Sequence, residues 1–370
     1  MKLLTIFIIL LSIIVLVYAT VDATTDYDYN NGDANPNVNG ATFHCIGNCN
    51  ETKPREKDIR GGTALCGGHM YPGVTKNEDL KVYEWLLERA KGGDVLVLTA
   101  DSAPCDIYNK FIYDLKPKPN SVTTICFTSR DGSYIKKTED LIKGASVVFI
   151  TGGDQAKYYN FWKDTVISKY LPYVPLVGGS SAGLAVQGEF VFTALHDSIE
   201  SEEALHNPMN EAITLTNHFF NLPFMLNIIT DTHFYQRDRM GRLITFLARI
   251  VKNKWIHHPY YHNAMGIGIS EHTAVLVDHI SGNCTITGDG PVYFIRSNPY
   301  VKRCNDDDSL TYEDLLVHKW NGTLVSSSNN DDDGTVSLKD WKFSKNGWKQ
   351  YNLSAVYGEL KSTQKNGRIY

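Results

Sequence analysis

The sequence predicts an α/β fold: a mostly parallel, doubly wound sheet with helices on both faces. Three observations carry that reading. Short continuous runs rich in Val and Ile recur along the chain, as strands buried on both faces require. Longer stretches with an apolar stripe at helical spacing lie between them. Glycine pairs and polar turns punctuate the alternation. The length of 370 residues suffices for one large α/β domain or two modest ones.

Strands are expected at 95–99, 122–127, 147–151, 174–177, 228–231, 266–269 and 274–277. Helices are expected at 77–91, 155–169 and 236–252. In the first helix Leu80, Val82, Trp85, Leu86 and Leu87 make the buried stripe, and Gly92-Gly93 stops it. Beyond 277 the pattern turns more β-like, with strands at 284–287 and 291–295 around Gly288-Asp289-Gly290. There is no internal repeat and no composition break that forces a second domain. Residues 59–370 are therefore expected to form one catalytic α/β domain with an irregular, β-rich end.

Residues 1–19 read as a signal peptide. Lys2 supplies the positive start, 3–17 is apolar, and Val17-Tyr18-Ala19 presents apolar or small residues at the cleavage positions. The expected destination is the secretory lumen or the exterior, with no membrane association after cleavage. Residues 20–58, rich in Asn, Asp, Gly and Thr, read as a flexible or disulfide-pinned leader. Four Asn-x-Ser/Thr sequons, at Asn50, Asn283, Asn321 and Asn352, become candidate glycan sites in a secreted chain. Seven cysteines leave at least one unpaired. Cys45/Cys49 and Cys284/Cys304 are candidate local bridges. The net charge of −5 and the lack of a basic block give no reason to expect a nucleic-acid partner.

The most specific local signal is Gly179-Ser180-Ser181-Ala182-Gly183, which follows the apolar run Pro175-Leu176-Val177. A strand entering Gly-x-Ser-x-Gly and leaving as a helix is the context of a nucleophile elbow, with Ser181 central. A glycine turn with capping serines would share the pattern. A serine needs a base to attack an amide. His233 is the best placed, because the apolar run 228–231 ends in Asp231-Thr232-His233 on the rim where parallel sheets build their sites. Arg237, Arg239 and Arg242 follow, and guanidinium forks suit a substrate carboxylate. Upstream, 147–151 ends in Gly152-Gly153-Asp154-Gln155, where backbone amides could serve an oxyanion and Gln155 a substrate.

Together these segments resemble the cyanophycinase and peptidase E group, the serine peptidases of family S51. Gly266-Ile267-Gly268-Ile269-Ser270-Glu271 resembles a later strand of the same group. The resemblance covers roughly 61–300. It implies a class I glutamine-amidotransferase-like, flavodoxin-like fold. It implies Ser181 as nucleophile and His233 as base, with a glutamate between them as acid: Glu203, with Glu202 the close second. It implies backbone amides of Gly153 and Ala182 as the oxyanion hole. Gln155, Asp231, Arg237, Arg239 and Arg242 would line the substrate pocket. The implied activity is hydrolysis of aspartyl, isoaspartyl or cyanophycin-like peptide bonds through an acyl-enzyme, without metal or organic cofactor. The glycine pair that opens the match is either Gly61-Gly62 or Gly67-Gly68. The expected partner is a peptide of Asp/Arg character, and a homodimer is possible.

Two other classes share parts of the pattern. An α/β-hydrolase esterase has the same elbow, but no His-Gly-Gly-Gly segment occurs here. A non-catalytic binding protein on the same fold would not need both Ser181 and His233. Smaller signals read as surface loops: the acidic stretch 329–340 has calcium-loop spacing without its flanking helices, and His257, His258 and His262 sit in a Pro/Tyr-rich segment.

Overall fold

The strands that the Val/Ile runs foretell do form, and they divide between two sheets. The computed structural model describes residues 40–50, 53–100, 105–256, 263–321 and 334–370. The signal-peptide segment, the 257–262 histidines and residues 329–333 of the acidic stretch lie outside these.

The chain enters through β1 (Ala41–Gly47) and then β2 (Gly62–Cys66), β3 (Val95–Thr99), β4 (Ser121–Phe127), β5 (Val147–Ile150) and β6 (Leu176–Ser180). Helices α1 (Asn77–Ala90), α2 (Ile107–Asp114), α3 (Lys136–Gly144), α4 (Gln155–Trp162) and α5 (Val166–Tyr170) fall between them. Strands β4, β3, β5, β6 and β2 are neighbours in that order and run parallel. The expected parallel α/β centre is therefore met.

A four-residue helix, α6 (Ala182–Ala185), leads into β7 (Phe190–Phe192), α7 (Ser201–His206), β8 (Leu215–Asn217), β9 (Ile228–Asp231), α8 (Met240–Lys252) and β10 (Met265–Ile269). Next come β11 (Thr273–Asp278), β12 (Asn283–Gly288), β13 (Val292–Arg296) and β14 (Tyr312–Trp320). The chain closes with β15 (Val336–Ser337), β16 (Lys342–Phe343), β17 (Trp348–Val356) and β18 (Glu359–Ser362). Strands β11, β12, β15 and β16 extend the first sheet, and β11 joins β2 antiparallel. The second sheet runs β18-β17-β14-β13-β10-β9-β7-β8. Sequence runs alone could not assign 228–231 and 266–269 to this separate sheet, because a strand buried on both faces looks the same in either.

The layers follow from which faces are apolar. Val82, Leu86 and Leu87 of α1 and Ile112 of α2 pack on Val97, Phe149 and Ala274 on one face of the first sheet. The other face, through Val148, Ile150 and Val177, meets Tyr158 and Trp162 of α4 and also Ile228, Ile267 and Phe294 of the second sheet. The outer face of the second sheet takes Leu243, Phe246 and Leu247 of α8 against Phe190, Ile229 and Ile295. Each such side chain contributes about 1.5–3 kcal/mol by leaving water. That anchoring holds the ends of β6, β9 and β10 against one another.

Three expectations are corrected. Residues 41–47 are not leader: β1 pairs antiparallel with β4 from Ala41 to Gly47, and beyond it the Lys53 amide donates to Asp94 at 2.9 Å. The polar surroundings of 41–47 hide an edge strand. The helix expected over 155–169 is broken, because Thr165 caps a new helix by accepting from the Ile167 amide. Of the expected bridges, Cys45–Cys49 forms, but Cys284 and Cys304 are unpaired and buried. The second bridge is Cys105–Cys126.

Candidate active site

Ser181 stands one residue beyond the carboxyl end of β6, at the junction with α6. Its backbone has φ 55° and ψ −120°, a conformation that L residues avoid. The turn is tight enough that a Cβ on Gly183 would come 2.1 Å from the Ile150 carbonyl oxygen. The glycine is therefore a steric requirement of the turn. The Ser181 amide donates to the Cys66 carbonyl at 3.1 Å, which fixes the elbow to the end of β2.

His233 and Glu271 come from the second sheet. Each follows its strand by two residues, His233 after β9 and Glu271 after β10, and these strands are parallel neighbours with Asp231 opposite Gly268. The same offset from adjacent parallel strands brings the two side chains to one rim. Gly68, just past β2, lies flat on the imidazole: a Cβ there would stand 2.3 Å from His233 Cε1. The Gly67 carbonyl accepts from the His233 amide at 2.7 Å. Gly67-Gly68, rather than Gly61-Gly62, is thus the pair that faces the site.

These supports produce a continuous hydrogen-bonded chain. Ser181 Oγ is 2.7 Å from His233 Nε2, and His233 Nδ1 is 2.6 Å from Glu271 Oε1. A carboxylate can only accept, so Nδ1 carries the proton and Nε2 is left to accept from the serine hydroxyl. Burial holds the His233 imidazole below its ordinary range; the Glu271 hydrogen bond opposes that shift, and the charges of Arg237 and Arg239 reinforce it. Burial acts to raise the Glu271 carboxyl, but the hydrogen bond and charge of His233, with His69 and Arg237 beyond, outweigh it and leave the carboxyl below its usual range. The pair is therefore a neutral imidazole on a carboxylate at neutral pH. That is the state needed to take a proton.

Among the expected site residues, Ser181 and His233 meet. Glu203 does not join them: it is exposed, and its carboxylate accepts from the Glu200 amide at 3.4 Å in a capping box at the start of α7. Glu202 is exposed on the same helix. The carboxylate at the imidazole is Glu271. Its sequence signal was available, since an apolar run ending in Ile269-Ser270-Glu271 mirrors Asp231-Thr232-His233.

The pocket residues divide in the same way. Asp231 and Arg242 are buried against each other, at 2.8 Å (Nε to Oδ2) and 2.5 Å (Nη2 to Oδ1), and Arg242 also donates to Ser198 Oγ. Neither faces a substrate, which corrects the expectation for both. Arg239 donates to Thr232 O and Oγ1 at 2.9 Å each, and burial lowers its pKa to about 10, so it remains charged at neutral pH. Arg237 is exposed beside Glu271. Gln155 Nε2 donates to the Phe192 carbonyl at 2.9 Å. Gly152 packs on the serine, since a Cβ there would be 3.3 Å from Ser181 Cβ. Gly153 follows Gly152 directly, and Ala182 opens α6 next to Ser181. A helix start leaves its first N–H without an internal partner.

A strained serine, a buried neutral imidazole and an orienting carboxylate at the ends of three strands define the hydrolase-type arrangement of a serine nucleophile with its base. Comparison with known proteins agrees with the motif resemblance. The chain is 28% identical over 188 residues to the cyanophycinase of Trichormus variabilis, covering 48% of this chain and 55% of that protein. It is 28% identical over 194 residues to the cyanophycinase of Geminocystis herdmanii, covering 50% and 62%. By sequence it is cyanophycinase-like, although it spans little more than half the length of these curated relatives. Among solved structures, a peptidase from an acI-B1 Actinobacterium aligns with 63% of this chain and 90% of its own, at 16% identity and a TM-score of 0.46. No protein-family model matches the chain.

Proposed function

We propose that this chain is a serine-type peptidase in which Ser181 is the nucleophile, His233 the general base and Glu271 the acid that orients it. The observation that carries the reading is the unbroken hydrogen-bonded path from Ser181 Oγ through both imidazole nitrogens to Glu271. His233 Nε2 takes the hydroxyl proton as Oγ attacks an amide carbon. The amides of Gly153 and Ala182 receive the developing oxyanion. His233 then returns the proton to the leaving amine, and water releases the acyl group from Ser181. Glu271 fixes the Nδ1–H tautomer and steadies the transient imidazolium. No step requires a metal or an organic cofactor.

Its substrate on this reading is a peptide of aspartyl or isoaspartyl character, of the kind the name cyanophycinase denotes in its relatives. Exposed Arg237 is a cation placed to meet a substrate carboxylate, whereas Arg242 is closed on Asp231. The route is secretory. Two disulfides suit an oxidising lumen, and all four sequon asparagines are exposed.

The test is a panel of aspartyl, isoaspartyl and branched arginyl-aspartate substrates, with a simple acyl ester as contrast, offered to wild type and Ser181→Ala. Amide hydrolysis by wild type alone is expected. Turnover of the ester with no amide hydrolysis would replace the peptidase by an esterase. Equal turnover by both proteins would remove Ser181 from the chemistry.

A further inference from the structure

A second imidazole stands on the carboxylate that orients His233. His69 Nε2 is 3.5 Å from Glu271 Oε1. His69, His233 and Glu271 each offer one ligand atom within 4.8 Å of the others. The His69 side chain is 38% exposed and that of Glu271 16%, so an ion can reach both from solvent. His69 is held in place edge-on to His272, whose Nδ1 is 2.9 Å from the buried Asp79 carboxylate.

We propose that His69, His233 and Glu271 form a zinc-type transition-metal site whose occupancy switches the hydrolase off. The effect on turnover rests on the serine-hydrolase reading; the binding does not. Two imidazole nitrogens and one carboxylate oxygen are a donor set for Zn²⁺ and its neighbours, while Mg²⁺ and Ca²⁺ favour oxygen. Ligand atoms about 2.0–2.1 Å from a tetrahedral zinc lie about 3.3 Å apart. The His69–Glu271 edge, at 3.5 Å, already has that length. The His233–Glu271 edge, at 2.6 Å, is a hydrogen bond and must open by less than about 1 Å. Water completes the fourth position.

The consequence is a change of tautomer. A neutral imidazole has one N–H and one lone pair. When a metal takes the lone pair of Nδ1, the proton resides on Nε2, with no net uptake or release. Nε2–H then donates to Ser181 Oγ and cannot accept its proton, so the base is lost while the fold is kept.

The test uses the folded chain, with zinc titrated calorimetrically into wild type, His69→Gln and His69→Asn. Cobalt(II) absorption serves as a second readout of coordination. One zinc per chain is expected, bound at least about tenfold more weakly by both variants. Zinc should also slow fluorophosphonate labelling of Ser181, a chelator should restore it, and the midpoint should shift by the same factor in the variants, each compared with its own zinc-free rate. Zinc affinity unchanged by both substitutions, or no binding at all, overturns the site. Bound zinc that leaves labelling untouched overturns the switch. His69-dependent zinc binding in a protein that is never labelled supports the site and rejects the hydrolase reading instead.

Discussion

Two acid–base pairs lie close together in this molecule and behave in opposite ways. Asp231 and Arg242 are both about 3% exposed and lock together through two hydrogen bonds, with the Thr232 amide adding a third to the carboxylate. Glu271 and His233 share one hydrogen bond, and the carboxylate keeps 16% of its surface in water. The first pair satisfies itself and ties β9 to α8. The second leaves the far imidazole nitrogen facing a hydroxyl. Asp231, His233 and Glu271 all sit within two residues of a strand end, so proximity to the rim does not by itself make a charged residue chemical. Closure of its bonds decides.

Ser181→Ala cuts turnover by on the order of 10³-fold or more and leaves the fold intact, measured as kcat beside a thermal melt. Glu271→Gln, on the open pair, lowers turnover by on the order of 10²-fold, whereas Glu203→Gln leaves it within about twofold; a loss with Glu203→Gln would move the acid back to α7. Asp231→Asn, on the closed pair, lowers stability by about 3–5 kcal/mol because it leaves Arg242 buried without its counter-charge. Denaturant unfolding reads that loss, and a normal melt with impaired turnover would instead make Asp231 part of the substrate site.

The pH dependence sharpens the same contrast. The base works only when neutral, so activity falls as His233 protonates with falling pH. Its burial holds that limb below the ordinary histidine value of about 6.5. Glu271 favours the imidazolium, so Glu271→Gln should move the acid limb lower still while reducing the plateau. A limb that moves upward in the variant contradicts the assigned pairing. The smallest change in stability is expected of Ser181→Gly, which relieves the φ 55° backbone and raises stability by about 1 kcal/mol, read by denaturant unfolding.

Much of this site was legible because its chemistry sits where short apolar runs stop. The run ending at 177, the glycines around Ser181 and the run ending in Asp231-Thr232-His233 mark the nucleophile and the base directly. The acid was sought between them in sequence, at Glu203, but the second sheet puts β10 beside β9 and delivers Glu271 from 38 residues beyond the histidine. Which sheet a doubly buried strand joins depends on tertiary pairing, and no local pattern encodes it. The edge strand β1 was hidden for the opposite reason: it lies in a polar stretch of chain, and its partner β4 lies about 80 residues away in the chain. The Cys105–Cys126 bridge likewise depends on a contact that the spacing does not reveal.

The most direct measurement is the rate and location of phosphonylation by a fluorophosphonate, read by intact mass and peptide mapping in wild type, His233→Ala and Glu271→Gln. One adduct on Ser181 is expected, fast in wild type, slowed in Glu271→Gln and essentially absent in His233→Ala. Labelling of Ser181 at equal rates in all three proteins, or an adduct on another residue, would contradict a serine activated through His233 and Glu271.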